Sequence, residues 1–136
     1  MGITVAFISE SRGDDLMAKL IIQGSLPTMN EIIAASKRHH MQYSNMKGIY
    51  TDLVAMEATR QKLPVFDRVA VKITWYCKDR RQDPDNIASG EKFLLDGLVK
   101  AGKLENDGWK QINSLSHFFE VDKDNPRIEV ELERVR

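Results

Sequence analysis

The apolar positions of this chain fall into two periods. From Val69 to Cys77, the residues Val69, Val71, Ile73, Trp75 and Cys77 alternate with Ala70, Lys72, Thr74 and Tyr76. Period-two alternation, rich in β-branched and aromatic side chains, predicts a strand over 66–77. A shorter run, Leu20-Ile21-Ile22 ended by Gly24, predicts another. The tract 43–61 has a different rhythm: Met46, Ile49, Tyr50, Leu53, Val54 and Met56 recur at helical spacing, and Pro64 closes it. Ahead of that tract, Thr28-Met29-Asn30-Glu31 is a capping-box pattern. The Thr28 hydroxyl can take the Glu31 N–H while the Glu31 carboxylate reaches back, so a helix follows through Ile32, Ile33 and Ala35. The polar run Ser36-Lys37-Arg38-His39-His40 interrupts it.

After the strand at 66–77 a polar stretch leads to a third helix, ended by Gly102, a residue suited to a left-handed cap. The segments 111–121 and 127–135 predict two strands joined as a hairpin through Asp122-Lys123-Asp124-Asn125-Pro126. In the last strand Ile128, Val130 and Leu132 face inward, and Glu129, Glu131 and Glu133 face water. The order β-α-α-β-α-β-β describes an α/β (α+β) fold, with a mixed sheet of about four strands packed by two to three helices. Residues 1–18 lack an apolar period and read as a flexible N-terminal extension, which leaves 19–136 as a single small domain.

Composition narrows the setting. A 136-residue chain with 42% hydrophobic and 29% charged residues is ordinary for a soluble globular domain. No apolar run approaches the roughly 20 residues that cross a bilayer, and no basic segment precedes the N-terminal apolar stretch as in a secretory signal. The single Cys77 rules out an internal disulfide, so a cytoplasmic location is expected. The net charge of zero counts against a protein that coats nucleic acid without specificity. It leaves room for a nuclease, whose catalytic carboxylates would offset its basic contacts.

Candidate chemistry is concentrated in Arg80-Arg81-Gln82-Asp83-Pro84-Asp85-Asn86, followed by Lys92, Asp96 and Asp107. Pro84 holds Asp83 extended, so Asp83 and Asp85 point the same way at the end of a long strand. Two carboxylates so placed can hold a hard divalent cation; magnesium takes one or two carboxylates with waters and substrate phosphate. If one helix ran on from Asp85, Lys92 and Asp96 would share its stripe, at about 100° per residue. Asp and Asn are also the favoured helix N-cap residues, so an isolated Asp-x-Asp-Asn is as readily a capped loop. An EF-hand loop fails, because its glycine and glutamate places hold Ala88 and Leu94.

In combination these residues resemble the signature of RusA-type Holliday-junction resolvases. The resemblance rests on Asp83-Pro84-Asp85-Asn86, Lys92-x-x-x-Asp96-Gly97-Leu98, Gly102, and Glu105-Asn106-Asp107. It continues through Trp109-Lys110-Gln111-Ile112, and Leu26-Pro27-Thr28-Met29-Asn30-Glu31 is similar to the family's N-terminal turn. It implies a structure-specific endonuclease, a homodimer acting on four-way DNA junctions, in which Asp83, Asp85 and Asp107 bind Mg2+, with Mn2+ able to substitute. It also implies that Lys92 stabilises the transition state, with Asp96 as an outer ligand or a partner of Lys92, and a phage or prophage setting. Two departures stand out. The family's lysine place, four residues after the second Asp, holds Ser89, and a helix starting late, near Gly90, would restore Lys92 to the inner place. Where the family has an Asp-Asp pair this chain has Asn106-Asp107.

Arg80, Arg81 and Lys78 border the proposed site and are candidate DNA contacts, as is Lys47; Lys37, Arg38, His39 and His40 read equally as a solvated basic turn. Trp75, Phe118 and Phe119 read as core or dimer contacts, and Cys77 as a small buried hydrophobe. The three histidines lack zinc-ligand spacing. Two other classes compete with an endonuclease: a catalytically inactive junction-binding protein of the same fold, and a metal-stabilised interaction module.

Overall fold

The computed structural model describes residues 7–11 and 15–136. In chain order its elements are β1 (Phe7–Ser11), β2 (Asp15–Gln23), α1 (Met29–Arg38), α2 (His40–Arg60), β3 (Val69–Cys77), α3 (Pro84–Ala88), α4 (Glu91–Lys100), β4 (Ile112–Val121) and β5 (Arg127–Arg134). The strands form one mixed sheet in the order β1-β2-β5-β3-β4. The expected order of helices and strands is present, with β1 as an additional strand at one edge.

Three expectations need correction. The first concerns where order begins. β2 starts at Asp15, not near Lys19, and β1 pairs with it antiparallel, Phe7 opposite Lys19 and Ser11 opposite Asp15. Ala18 is buried in the core. The reading of 1–18 as a flexible extension is thus corrected for 7–11 and 15–18; residues 1–6 and 12–14 lie outside the described residues. The second concerns the hairpin. β4 and β5 are not neighbours: β3 lies between them, parallel to β4 and antiparallel to β5. The third concerns the helix before Gly102, which is two helices, α3 and α4, meeting at Ser89-Gly90.

The alternation in β2, β3 and β5 explains the layering. Leu20 and Ile22, Val71, Ile73 and Trp75, and Val130 and Leu132 form a single cluster with Val54 and Ala58 of α2 and Phe93, Leu94 and Leu98 of α4. Lys19, Lys72, Glu129, Glu131 and Glu133, which alternate with them, carry charge on the other face of the sheet. The capping box forms as expected, with the Thr28 hydroxyl accepting the Glu31 N–H at 3.3 Å. The break between α1 and α2 is confined to His39, whose extended backbone ends one helix and whose Nδ1 caps the next by accepting the Met41 N–H. α2 crosses α4 closely because position 97 is glycine. A Cβ there would run into the Val54 side chain and come within 3.2 Å of the Ala55 nitrogen. Gln61, fully buried at the end of α2, bonds both the N–H and the carbonyl of Ile21. Its amide thus satisfies the backbone of β2 two residues past Lys19, the partner of Phe7.

Candidate active site

β3 ends at Cys77, and the chain then crosses a polar loop to Pro84, the first residue of α3. Asp83 is the N-cap residue, extended at φ −71° and ψ 149° as a residue before proline should be. Its side chain makes no capping bond. Asp85 lies in the first turn, with Oδ1 accepting the N–H of Asn86 at 2.9 Å. Both aspartates are exposed. Among the described residues no cation lies in ion-pair range of Asp83, Asp85 or Asp107, whereas Arg81 turns towards Asp79 at 3.7 Å.

What holds this segment in place is Asn86, only 8% exposed. Its Oδ1 accepts the N–H of Asn30 at 2.9 Å, in the first turn of α1, and its Nδ2 donates to Gln82 Oε1. Its own carbonyl accepts the Ser89 hydroxyl at 2.7 Å. Two stretches far apart in sequence, the Leu26–Asn30 turn and Asp83-Pro84-Asp85-Asn86, are therefore latched to each other. Both stretches stand out in the sequence, but a contact across that separation leaves no local signal at Asn86.

The corner between α3 and α4 decides the position of Lys92. Gly90 N–H bonds Ile87 O, Lys92 N–H bonds Ser89 O and Phe93 N–H bonds Gly90 O, all three residues back and not four. The tighter turn changes the rotational phase, so the continuous stripe of Asp85, Lys92 and Asp96 does not form. α4 begins at Glu91, which matches the late start and puts Lys92, exposed, in its first turn. Ser89 spends its hydroxyl on Asn86. Gly90 is closely packed: a Cβ would lie 3.0 Å from the Trp75 ring and 3.1 Å from Leu26 Cβ, so both would have to give way.

Asp96 faces Lys47 at 3.8 Å and has one buried carboxylate oxygen without a hydrogen bond. The structure thus pairs Asp96 with Lys47, not with Lys92, and draws Lys47 partly into an internal contact. Asp107 sits in the loop after α4. Gly102, at φ +75°, ends that helix, and the Gly108 carbonyl takes the N–H groups of Gln111 and Ile112 at 3.1 and 3.0 Å. Trp109, in the same turn, is 98% exposed. Among the described residues no three His, Cys, Asp or Glu side chains are gathered into a metal-binding group.

Arg80, Arg81 and Lys78 are exposed along the loop before Asp83. Beside them opens a cleft of about 410 Å³ between Leu26, Trp75, Ile87 and Gln82. Burial, and after it Asp79, push the Cys77 thiol up, which disfavours the thiolate.

This sequence matches the family described as endodeoxyribonuclease RusA over residues 25–133. The chain belongs to the RusA endodeoxyribonuclease family. Among curated proteins none matches it. As a RusA-family member the chain is an endonuclease, in a family of Holliday-junction resolution and recombination. The RusA match contains the Asn30–Asn86 latch, both helices of the corner, and the Asp107 loop. No described helix is long and apolar enough to cross a membrane.

Proposed function

We propose that this chain is a magnesium-dependent endonuclease that resolves four-way DNA junctions by paired phosphodiester cleavage as a homodimer, with Asp83, Asp85, Asp107 and Lys92 at its centre. The observation that carries the reading is the pair of exposed carboxylates at the start of α3, held by the Asn86 latch and, among the described residues, paired with no cation. Charges left without a partner in this way suit an external cation. A hard, all-oxygen donor set fits magnesium, which needs only one or two carboxylates when phosphate and water complete its shell. Manganese shares that preference for oxygen ligands. Asp83 and Asp85 would hold the ion, and Asp107 would be a third ligand by its place in the family pattern. Magnesium, when bound, supplies a Lewis acid for the phosphoryl oxygen and acidifies water.

Lys92 offers an ammonium for the charge that develops on the phosphate in the transition state. Arg80, Arg81 and Lys78 would grip flanking phosphates. Lys47 is a lesser contact, since Asp96 already engages it. Two copies would place two such centres on opposing strands of a junction. A cytoplasmic setting accords with the single Cys77.

The experiment is cleavage of an end-labelled four-way junction, with magnesium, with manganese and with neither, beside a linear duplex of the same sequence. Paired cuts in the junction alone, in either metal, are expected. Tight junction binding without cuts in both metals would instead make the chain an inactive junction-binding protein, and absence of binding would favour an interaction module.

A further inference from the structure

Outside the acidic segment a polar chain links β3, β4 and α4. Trp75 of β3 donates its indole N–H to His117 Nδ1 at 2.9 Å, and His117 Nε2 meets Glu91 Oε1 at 2.9 Å. An indole nitrogen can only donate, so Nδ1 must accept and Nε2 carries the ring proton towards the Glu91 carboxylate. The imidazole lies parallel to the Trp75 ring, 6.0 Å between centroids, and is stacked on its other neighbour Phe119 at 6.4 Å. His117 and Glu91 retain 22% and 27% side-chain exposure, so the pair is shielded without being sealed.

The place of this chain matters more than its strength. Glu91 is the first residue of α4, next to Lys92, and Gly90 on its other side rests on the same Trp75 ring. Trp75 therefore supports the α3–α4 corner twice, directly under Gly90 and through His117 under Glu91. That corner sets how far Lys92 stands from Asp83 and Asp85. The corner's own backbone bonds are weakly placed to do this alone, since Lys92 N–H and Leu94 N–H reach their acceptors only at 3.4 Å.

We infer that Glu91 and His117 are positioning residues, which fix the first turn of α4 and so hold Lys92 in register with the carboxylates. This rests on the endonuclease reading above. The role belongs to the hydrogen bond and not to the negative charge of Glu91, so an amide should replace it. Glu91→Gln keeps an oxygen for the His117 Nε2 proton, whereas Glu91→Ala removes it and His117→Phe keeps the stack while removing both bonds.

The test is single-turnover cleavage of a labelled four-way junction at saturating enzyme, with junction affinity measured in parallel. Glu91→Ala and His117→Phe should each slow cleavage about 10- to 100-fold, the scale of a small misplacement near the reacting atoms, with affinity unchanged. The double variant should be no slower than either single one, because both break one device. Glu91→Gln should recover most of the rate. Hydrogen exchange supplies a readout free of activity: the amides of Lys92, Phe93 and Leu94 should exchange about tenfold faster in Glu91→Ala and not in Glu91→Gln. Wild-type rates in both breaking variants, or failure of Glu91→Gln to restore the rate, would overturn the inference. If the wild-type protein cuts no junction, the endonuclease reading fails by itself. Unchanged exchange in Glu91→Ala would then overturn the positioning role independently.

Discussion

The molecule carries two groups of carboxylates in opposite circumstances. On the face of the sheet away from the helices, Glu129 lies between Lys19 at 2.8 Å and Arg127 at 2.7 Å, and Arg127 also reaches Asp122 at 2.7 Å. The guanidinium of Arg127 stacks 3.8 Å from the Tyr76 ring centre. Burial pulls the Glu129 carboxyl up, but hydrogen bonds from Lys19 and Arg127 outweigh it and hold the group below its ordinary 4.5. At the start of α3, by contrast, Asp83 and Asp85 face solvent, with no cation among the described residues in ion-pair range. The first group has its charge answered within the chain and serves the sheet. The second has its backbone fixed by Asn86 and its charge unanswered, which is the arrangement expected where charge is meant for something outside the chain.

That contrast can be broken first by exchanging carboxylate for amide in each group. Asp83→Asn or Asp85→Asn should abolish cleavage, a loss of at least about 100-fold, since a lost metal ligand removes the ion's share of transition-state stabilisation. Fold and junction binding should survive, as circular dichroism and gel shift would show. Wild-type activity in either variant would remove that residue from the centre. Lys92→Ala comes next. With the late helix start in place, it should slow single-turnover cleavage roughly 100-fold with little loss of affinity. A weaker, salt-sensitive affinity at an unchanged rate would make Lys92 a phosphate contact instead.

Glu129→Gln should behave in the reverse way: cleavage near wild type, with stability lower by about 1–3 kcal/mol in urea unfolding because two cations lose their charged acceptor. The pH dependence follows from the same pairing. A carboxyl whose folded value lies below 4.5 contributes stability that is complete above 4.5 and lost as pH falls through the folded value. Glu57, lowered first by its bond from Arg60, adds to the same acid limb. Unfolding midpoints should therefore decline on the acid side of 4.5, less steeply in Glu129→Gln; an identical acid limb in that variant would contradict the pairing. The smallest effect is optical. Trp75 is 3% exposed and Trp109 98%, so junction DNA held near the Asp107 loop should quench the Trp109 emission alone. Trp109→Phe should abolish the change, and quenching that persists would place the DNA elsewhere.

Much of this was legible in the sequence because it is local. The Thr28–Glu31 capping box, the alternation of β3, the left-handed Gly102 and the late start of α4 each follow from residues a few positions apart. The strand pairing did not. A turn such as Asp122–Pro126 looks the same whether its flanking strands pair or straddle a third, and here they straddle β3. The burial of β5 explains the result: Ile128, Val130 and Leu132 are core residues, which suits a central strand, while β4 is largely exposed, as an edge strand is. β1 and the start of β2 were missed because Ser9 to Asp15 has no apolar period to read. At the site, the acidic residues could be read from their type and order. The Asn30–Asn86 latch and the Trp75–His117–Glu91 chain could not, since each joins residues dozens of positions apart. Nor did the continuous-helix arithmetic hold for Asp96, which the turn at Gly90 directs towards Lys47.

The central claim is that the unpaired acidic corner, not the paired carboxylates of the sheet, performs the chemistry. The most direct measurement is single-turnover cleavage of one labelled four-way junction in magnesium by wild type, Asp85→Asn and Glu129→Gln, at equal saturating enzyme. The account predicts paired cuts by wild type and Glu129→Gln and none by Asp85→Asn, with all three binding the junction. Cleavage by Asp85→Asn at the wild-type rate would contradict it.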